Sequence, residues 1–145
     1  MLRRDIFRGF LASTATVLGF KAATAAPVSY PRQKVAYHLD DLDKVAFVLG
    51  NIKNHFDGTG GEVDIVLVVH GPALAAFKRD GASAAVSSRF AGLVKKGMTP
   101  QACANTMHGM DITLPDLFEG FVSADAGGVV KLAELQAAGY AYLRP

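Results

Sequence analysis

The run Val63-Asp64-Ile65-Val66-Leu67-Val68-Val69 is apolar at six of its seven positions and rich in β-branched side chains. A strand with one wet face alternates apolar and polar residues. A nearly continuous apolar run needs cover on both faces, so this stretch reads as a central strand of a parallel sheet. It stops at His70-Gly71-Pro72. Upstream, Lys34-Val35-Ala36-Tyr37-His38-Leu39 reads as a first strand, and Asp40 or Asp41 can cap the helix that follows. That helix is predicted over Leu42 to Phe56, with Val45, Leu49, Ile52 and Phe56 as its buried stripe. Asp57-Gly58-Thr59-Gly60-Gly61 ends it.

Downstream, helix is predicted from about Ala73 to Arg79 and again from Ser83 to Lys95, the second with Val86, Phe90 and Leu93 on one side. Gly97 closes it. A third strand is expected over Met98 to Cys103, with Pro100 near its start or on an edge because proline offers no N–H to a ladder. A short helix starts after Cys103, and Leu114-Pro115-Asp116-Leu117 reads as a helical turn. Phe121 to Ala124 is a brief fourth strand. A last helix over Val129 to Ala138 turns Val130, Leu132, Ala133 and Leu135 inward, with Gly139 at its C-terminal cap. Tyr140 to Leu143 is a final strand. Five short strands separated by helices predict an α/β fold, a three-layer α/β/α sandwich around a five-stranded, mostly parallel sheet.

A chain of 145 residues, half of them apolar, holds one domain with a little left over. Its formal charge of +2 does not describe the folded part. Arg3, Arg4, Arg8 and Lys21 lie in the first 25 residues against Asp5 alone, and the remainder carries 11 basic and 12 acidic residues. That balance gives no case for a nucleic-acid partner.

The excess of positive charge belongs to an export signal. Leu2-Arg3-Arg4-Asp5-Ile6-Phe7-Arg8 resembles a bacterial twin-arginine n-region, and Gly9 to Phe20 is a weakly hydrophobic run too short to span a bilayer. Ala22-Ala23-Thr24-Ala25-Ala26 offers small residues for cleavage. The chain is therefore expected to divide into a twin-arginine signal at 1–26, a leader at 27–33 and a folded domain at 34–145. A periplasmic address follows, with no membrane attachment after cleavage. The other reading of the first residues is a short N-terminal anchor or amphipathic helix.

Chemistry concentrates between Lys95 and Met110, which holds the single cysteine, Cys103. An unpaired thiol in an oxidising compartment is buried and inert, paired with another chain, bound to metal, or reactive. Ligands of an open α/β sheet bind at the carboxyl ends of its strands. His38 ends the first predicted strand, His70-Gly71 the second, and Cys103 with Asn105 the third. A thiol where a helix starts also gains thiolate character. Plainer readings stand beside these. Cys103 serves as a small buried hydrophobe, His70 satisfies a turn, His38 caps a strand end, and His55 lies at a surface or interface. Cys103, Met107, His108 and Met110 are soft or borderline ligands that suit copper, though no paired ligand spacing supports a metal. The chain has no Walker loop, no GxGxxG after a strand and no G-x-S-x-G elbow.

Five pieces in order, Val35 to Leu39, Asn51 to His55, Val68 to Pro72, Ala102-Cys103-Ala104-Asn105-Thr106-Met107 and Leu135 to Tyr142, together resemble the DsrE/DsrF-like family of small sulfur-relay proteins. The resemblance runs from about Lys34 to Pro145. It implies a five-stranded parallel sheet with helices on both faces, assembly into homotrimers or homohexamers, and sulfur carried as a persulfide on one cysteine. Cys103 stands where the family keeps that residue, and there is no second thiol to resolve a persulfide. The expectation is a periplasmic sulfur carrier, with Cys103 as the sulfur-bearing residue and His38, His70, Gly71 and Asn105 shaping its pocket. The sulfur is held covalently, with no other cofactor, and sulfur donor and acceptor proteins are implied. Two alternatives remain open: a non-catalytic oligomeric accessory module with a structural cysteine, and a copper-binding protein.

Overall fold

The computed structural model describes residues 31–145. The signal and most of the leader expected from the sequence lie outside the described residues. Five strands are present: β1 (Gln33–Leu39), β2 (Val63–Val69), β3 (Thr99–Cys103), β4 (Val122–Ala124) and β5 (Ala141–Leu143). Every pairing is parallel, in the order β4-β3-β2-β1-β5. The apolar run that opened the sequence reading is β2, which pairs with β1 on one side and β3 on the other. All but one of its residues are buried, the partly buried Asp64 being the exception. No described helix is long and apolar enough to cross a membrane.

Four α-helices connect the strands: α1 (Val45–Gly58), α2 (Ala84–Lys95), α3 (Ala104–Gly109) and α4 (Gly128–Ala137). Alternation along the strands sorts the sheet into two faces. Val35, Tyr37, Leu39, Val63, Ile65, Leu67, Val69 and Ala102 join Val48, Leu49, Ile52 and Phe56 of α1 and Phe90 and Leu93 of α2 in the main core. Ala36, Val66 and Val68 face the other way and pack on Leu132 of α4. Among the described residues, one layer is thus several helices wide, whereas the other is α4 alone.

The structure corrects several details. β1 starts at Gln33, one residue before the predicted strand, and Arg32 already pairs with Glu62 and Asp64. Asp41 is the capping residue, accepting from the N–H of Asp43, and a 3-10 turn at Leu42–Lys44 leads into α1. The segment after His70 is a 3-10 helix, Gly71–Phe77, and not an α-helix over 73–79. Pro100 lies second in β3, opposite Leu67, and β4 pairs only from Gln101 onward, so the missing N–H falls outside that ladder. On α4, Leu132 is buried, but Val130 and Ala133 are exposed and do not turn inward. Among the described residues this face carries one helix, with no neighbouring helix for them to meet.

Candidate functional site

The register places the site. Leu39 pairs with Val69, and Val69 pairs with Ala102. The next residues, Asp40, His70 and Cys103, therefore stand in line across the carboxyl edge, and Cys103 pairs onward with Ala124. Because Leu39, Val69 and Ala102 turn into the main core, this row turns toward α4. His38 lies one pleat earlier on the same side. Helices α1, α2 and α3 leave the ends of β1, β2 and β3 toward the main core, as buried Met107 on α3 shows, whereas α4 leaves β4 toward the opposite face. The connections diverge between β3 and β4, where an open α/β sheet forms its crevice.

A cavity of about 290 Å³ lies there. Cys103, His70, Asn105, Thr106 and the start of α4 at Gly127 and Gly128 form its wall. Cys103 is buried, with 5% of its surface accessible. Burial pushes the thiol up, but the Thr106 hydroxyl and the N–H groups of Gly128, Thr106 and Asn105 outweigh it, so its pKa is lowered. Cys103 closes no N-cap hydrogen bond to α3, so these donors act as a surrounding field. Thr106 is aimed by a second contact: the N–H of Gly71 donates to its hydroxyl oxygen at 2.9 Å. Gly71 itself adopts φ +57, a conformation that favours glycine.

Two further glycines let α4 approach. A side chain at Gly128 would come within 3.2 Å of the His70 Cβ and 3.3 Å of the Cys103 Cβ. Gly127 has φ +98 and ψ 157, and a Cβ there would stand 2.7 Å from the Asn105 amide nitrogen. Asn105 is exposed and packs its amide against this backbone.

His70 meets His38 on its other flank. Their rings stack with centroids 4.7 Å apart, and their Nε2 atoms are separated by 2.5 Å. The Tyr142 hydroxyl lies 2.6 Å from His38 Nδ1. Burial, then the charge of His70, lowers the His38 pKa, and Asp40 opposes them.

The structure thus brings Cys103, His70, Gly71 and Asn105 together, with His38 reaching the group through His70. His55 stands elsewhere, bonded to the Tyr37 hydroxyl at 2.9 Å and to Gln33 Oε1 at 2.8 Å. The copper set is divided by burial: Met107 is buried in the main core, whereas His108 and Met110 are exposed. Sequence reasoning missed Thr106, Gly127, Gly128 and Tyr142 as parts of the site. The parallel register of β3 and β4 brings Gly127-Gly128 against Cys103.

The fold defines a small parallel α/β protein with a buried, donor-lined thiol at the crevice of its sheet. A family model described as DsrE/DsrF-like matches residues 15–145, and the chain belongs to that family. Its general assignment is sulfur relay. Among solved structures, a protein of unknown function from Methanobacterium thermoautotrophicum is 28% identical with a TM-score of 0.69, covering 78% of this chain and 99% of that one. The ychN protein of E. coli is 15% identical with a TM-score of 0.59, over 78% and 99%. A protein of unknown function from Bacteroides thetaiotaomicron is 19% identical with a TM-score of 0.56, over 78% and 95%. The last two speak for the fold alone. No curated protein matches this chain.

Proposed function

We propose that this protein is a periplasmic sulfur carrier that holds sulfane sulfur as a persulfide on Cys103 and passes it to a partner thiol. The observation that carries the reading is the Cys103 thiol, held below its ordinary pKa at the wall of a crevice. In loading, the Cys103 thiolate attacks the outer sulfur of a donor persulfide or polysulfide. The donor's S–S bond breaks, a new S–S bond forms on Cys103, and the shortened donor leaves as a thiolate or polysulfide anion. A partner thiolate then attacks the outer sulfur on Cys103, and the Cys103 thiolate departs. The donors that favour thiolate also favour this departure, so the same surroundings serve both halves of a carrier cycle. His70 flanks the thiol and Asn105 lines the entrance. The twin-arginine reading of the first residues supports the address.

Assembly with further copies of this chain belongs to the same proposal. Val122, Val129, Val130 and Tyr142 lie exposed on the α4 side, where one helix covers a five-stranded sheet. A trimer or hexamer would cover them.

The test is the intact mass of the mature protein after exposure to polysulfide, beside Cys103→Ser. One or more added sulfur atoms, removed by a thiol reductant and absent from the variant, is the expected result. Absence of any adduct on folded, reduced protein refutes the carrier. A second reading, an accessory module with a structural cysteine, draws on the burial of Cys103. It requires alkylation that is slow in the native state and fast after unfolding.

A further inference from the structure

We propose that His38, His70 and Asp40 form a binding site for a borderline divalent metal of the zinc class, separate from the thiol. One candidate ligand atom from each of these residues lies within 4.8 Å of the other two. Among the described residues, this is the one such group of three or more histidine, cysteine and carboxylate side chains. It differs from the soft set around Cys103 that the sequence suggested.

The placement follows from the sheet. His38 and Asp40 are two residues apart in extended chain and so share a side, while Leu39 between them is buried on the other. His70 continues β2 in line with Asp40, with extended backbone angles of φ −144 and ψ 176. One ligand thus comes from β1 and two from the residues that directly follow the paired ends of β1 and β2, which is a stiff base for a metal.

The nitrogens already converge. The two Nε2 atoms are 2.5 Å apart. Two neutral imidazoles can share one hydrogen bond there, and two imidazolium rings would repel. A tetrahedral metal with bonds of about 2.05 Å to nitrogen holds its ligands about 3.3 Å apart, so a small opening of the two rings admits the ion.

The outer contacts have the form that metal ligands require. With its proton on Nδ1, His38 donates to the Tyr142 hydroxyl at 2.6 Å and leaves the Nε2 lone pair facing His70. Arg144 holds Asp40 through Oδ2 at 2.7 Å, which leaves Oδ1 to bind. Both outer partners, Tyr142 and Arg144, come from the C-terminal strand and tail. A cavity of about 300 Å³ opens beside His38, Asp40 and Arg144 and gives room for a water in the fourth position. Two imidazoles, one carboxylate and a water suit zinc, with copper(II) and nickel(II) as competitors on affinity.

The test uses the full mature chain, free of any affinity tag and stripped with chelator. Zinc chloride is titrated against a chromogenic chelator, and cobalt(II) is bound in parallel for its absorption spectrum. One zinc per chain is expected. His38→Ala and His70→Ala weaken binding at least tenfold, and Cys103→Ser leaves it unchanged. The cobalt protein shows d–d bands without a thiolate charge-transfer band. Circular dichroism checks each variant; if His38→Ala does not fold, His38→Gln is read in its place. Three results overturn the site: no stoichiometric zinc on the wild type, affinity indifferent to the histidine variants, or affinity lost in Cys103→Ser with a thiolate band present. Sulfur loading of Cys103 is measured separately by mass, so failure of the metal site and failure of the carrier are distinguishable.

Discussion

Thr106→Val is the sharpest probe of the thiol. It keeps the β-branched shape and removes the hydroxyl that the Gly71 N–H orients and that favours the Cys103 thiolate. A hydrogen bond to a charged group is worth about 1.5–3 kcal/mol, and the low end is an upper bound for a hydroxyl that favours a sulfur anion without closing a full hydrogen bond to it. That figure corresponds to roughly tenfold less thiolate at any pH below the titration midpoint. Nucleophilicity moves the other way. With a Brønsted slope of about 0.4–0.5 for thiol–disulfide exchange, the more basic thiolate attacks about threefold faster. The two effects predict crossing pH–rate profiles against a small disulfide such as 2,2′-dithiodipyridine. At low pH the variant is about threefold slower, and above both midpoints it is about threefold faster.

The substitution also leaves the Gly71 N–H without its partner, at a cost of about 1–3 kcal/mol in stability. Thr106→Ser separates the two consequences, because it restores the hydroxyl and loses only a methyl group. Its profile should follow the wild type. A folded Thr106→Val protein with an unmoved profile refutes the account of the thiol. So does a Thr106→Ser protein displaced as far as the valine variant, since packing would then be responsible.

Gly127→Ala forces a side chain into φ +98, ψ 157 and to within 2.7 Å of the Asn105 amide; it should cost about 1–3 kcal/mol, read from the urea midpoint. Phe77→Ala empties a fully buried position among Phe90, Phe118 and Phe121, whose ring centres lie 5.4, 6.1 and 5.4 Å away, and should cost about 3–5 kcal/mol without changing the denaturant slope. Asp57 is held at about 2 by hydrogen bonds from Lys53 and Lys96, so its contribution is present above the ordinary carboxylate pKa and is lost as pH falls through about 2. Asp57→Asn should therefore lower Tm slightly at neutral pH and low salt and match the wild type near pH 2; because the groups are exposed, added salt should shrink the difference. Val122→Asp, on the exposed α4 side of the edge strand, should leave folding intact and weaken self-association in sedimentation velocity; a wild type that sediments as a monomer removes assembly from the proposal.

The parts of this protein that were legible in its sequence are those decided locally. β2 announced itself because a strand covered on both faces cannot alternate, and all but one of its residues are buried. Val45, Leu49, Ile52 and Phe56 formed the expected stripe because α1 faces a full layer. The same reasoning failed on α4, where Val130 and Ala133 carry the inward pattern but have no neighbour to bury them. Helical periodicity states which residues share a face, not how much protein lies opposite. The 3-10 segment after Gly71 escaped for a related reason. Its buried Ala73, Leu74 and Phe77 fit either helix, and the choice rests on packing against distant elements.

The site divides along the same line. His38, His70 and Cys103 were visible because each ends a strand, and a parallel sheet gathers such ends. Thr106 was invisible because its importance lies in the Gly71 N–H, 35 positions away. Asp40 and Asp41 both read as candidate helix caps; Asp41 takes that task, and Asp40 stands in the carboxyl-edge row with His70 and Cys103. One geometric cause underlies both the row and its exposure. The connections from β1, β2 and β3 all turn to one face, so among the described residues α4 alone covers the other. A helix is about 10 Å wide, whereas five strands spaced about 4.8 Å apart extend some 19 Å between the outer axes. One helix therefore cannot cover that face: Asp40 and His70 stay partly exposed beside it, whereas Cys103 is buried under the start of α4. The glycines at 127 and 128 bring α4 down against the thiol, while the sheet beyond it, toward Tyr142, stays open.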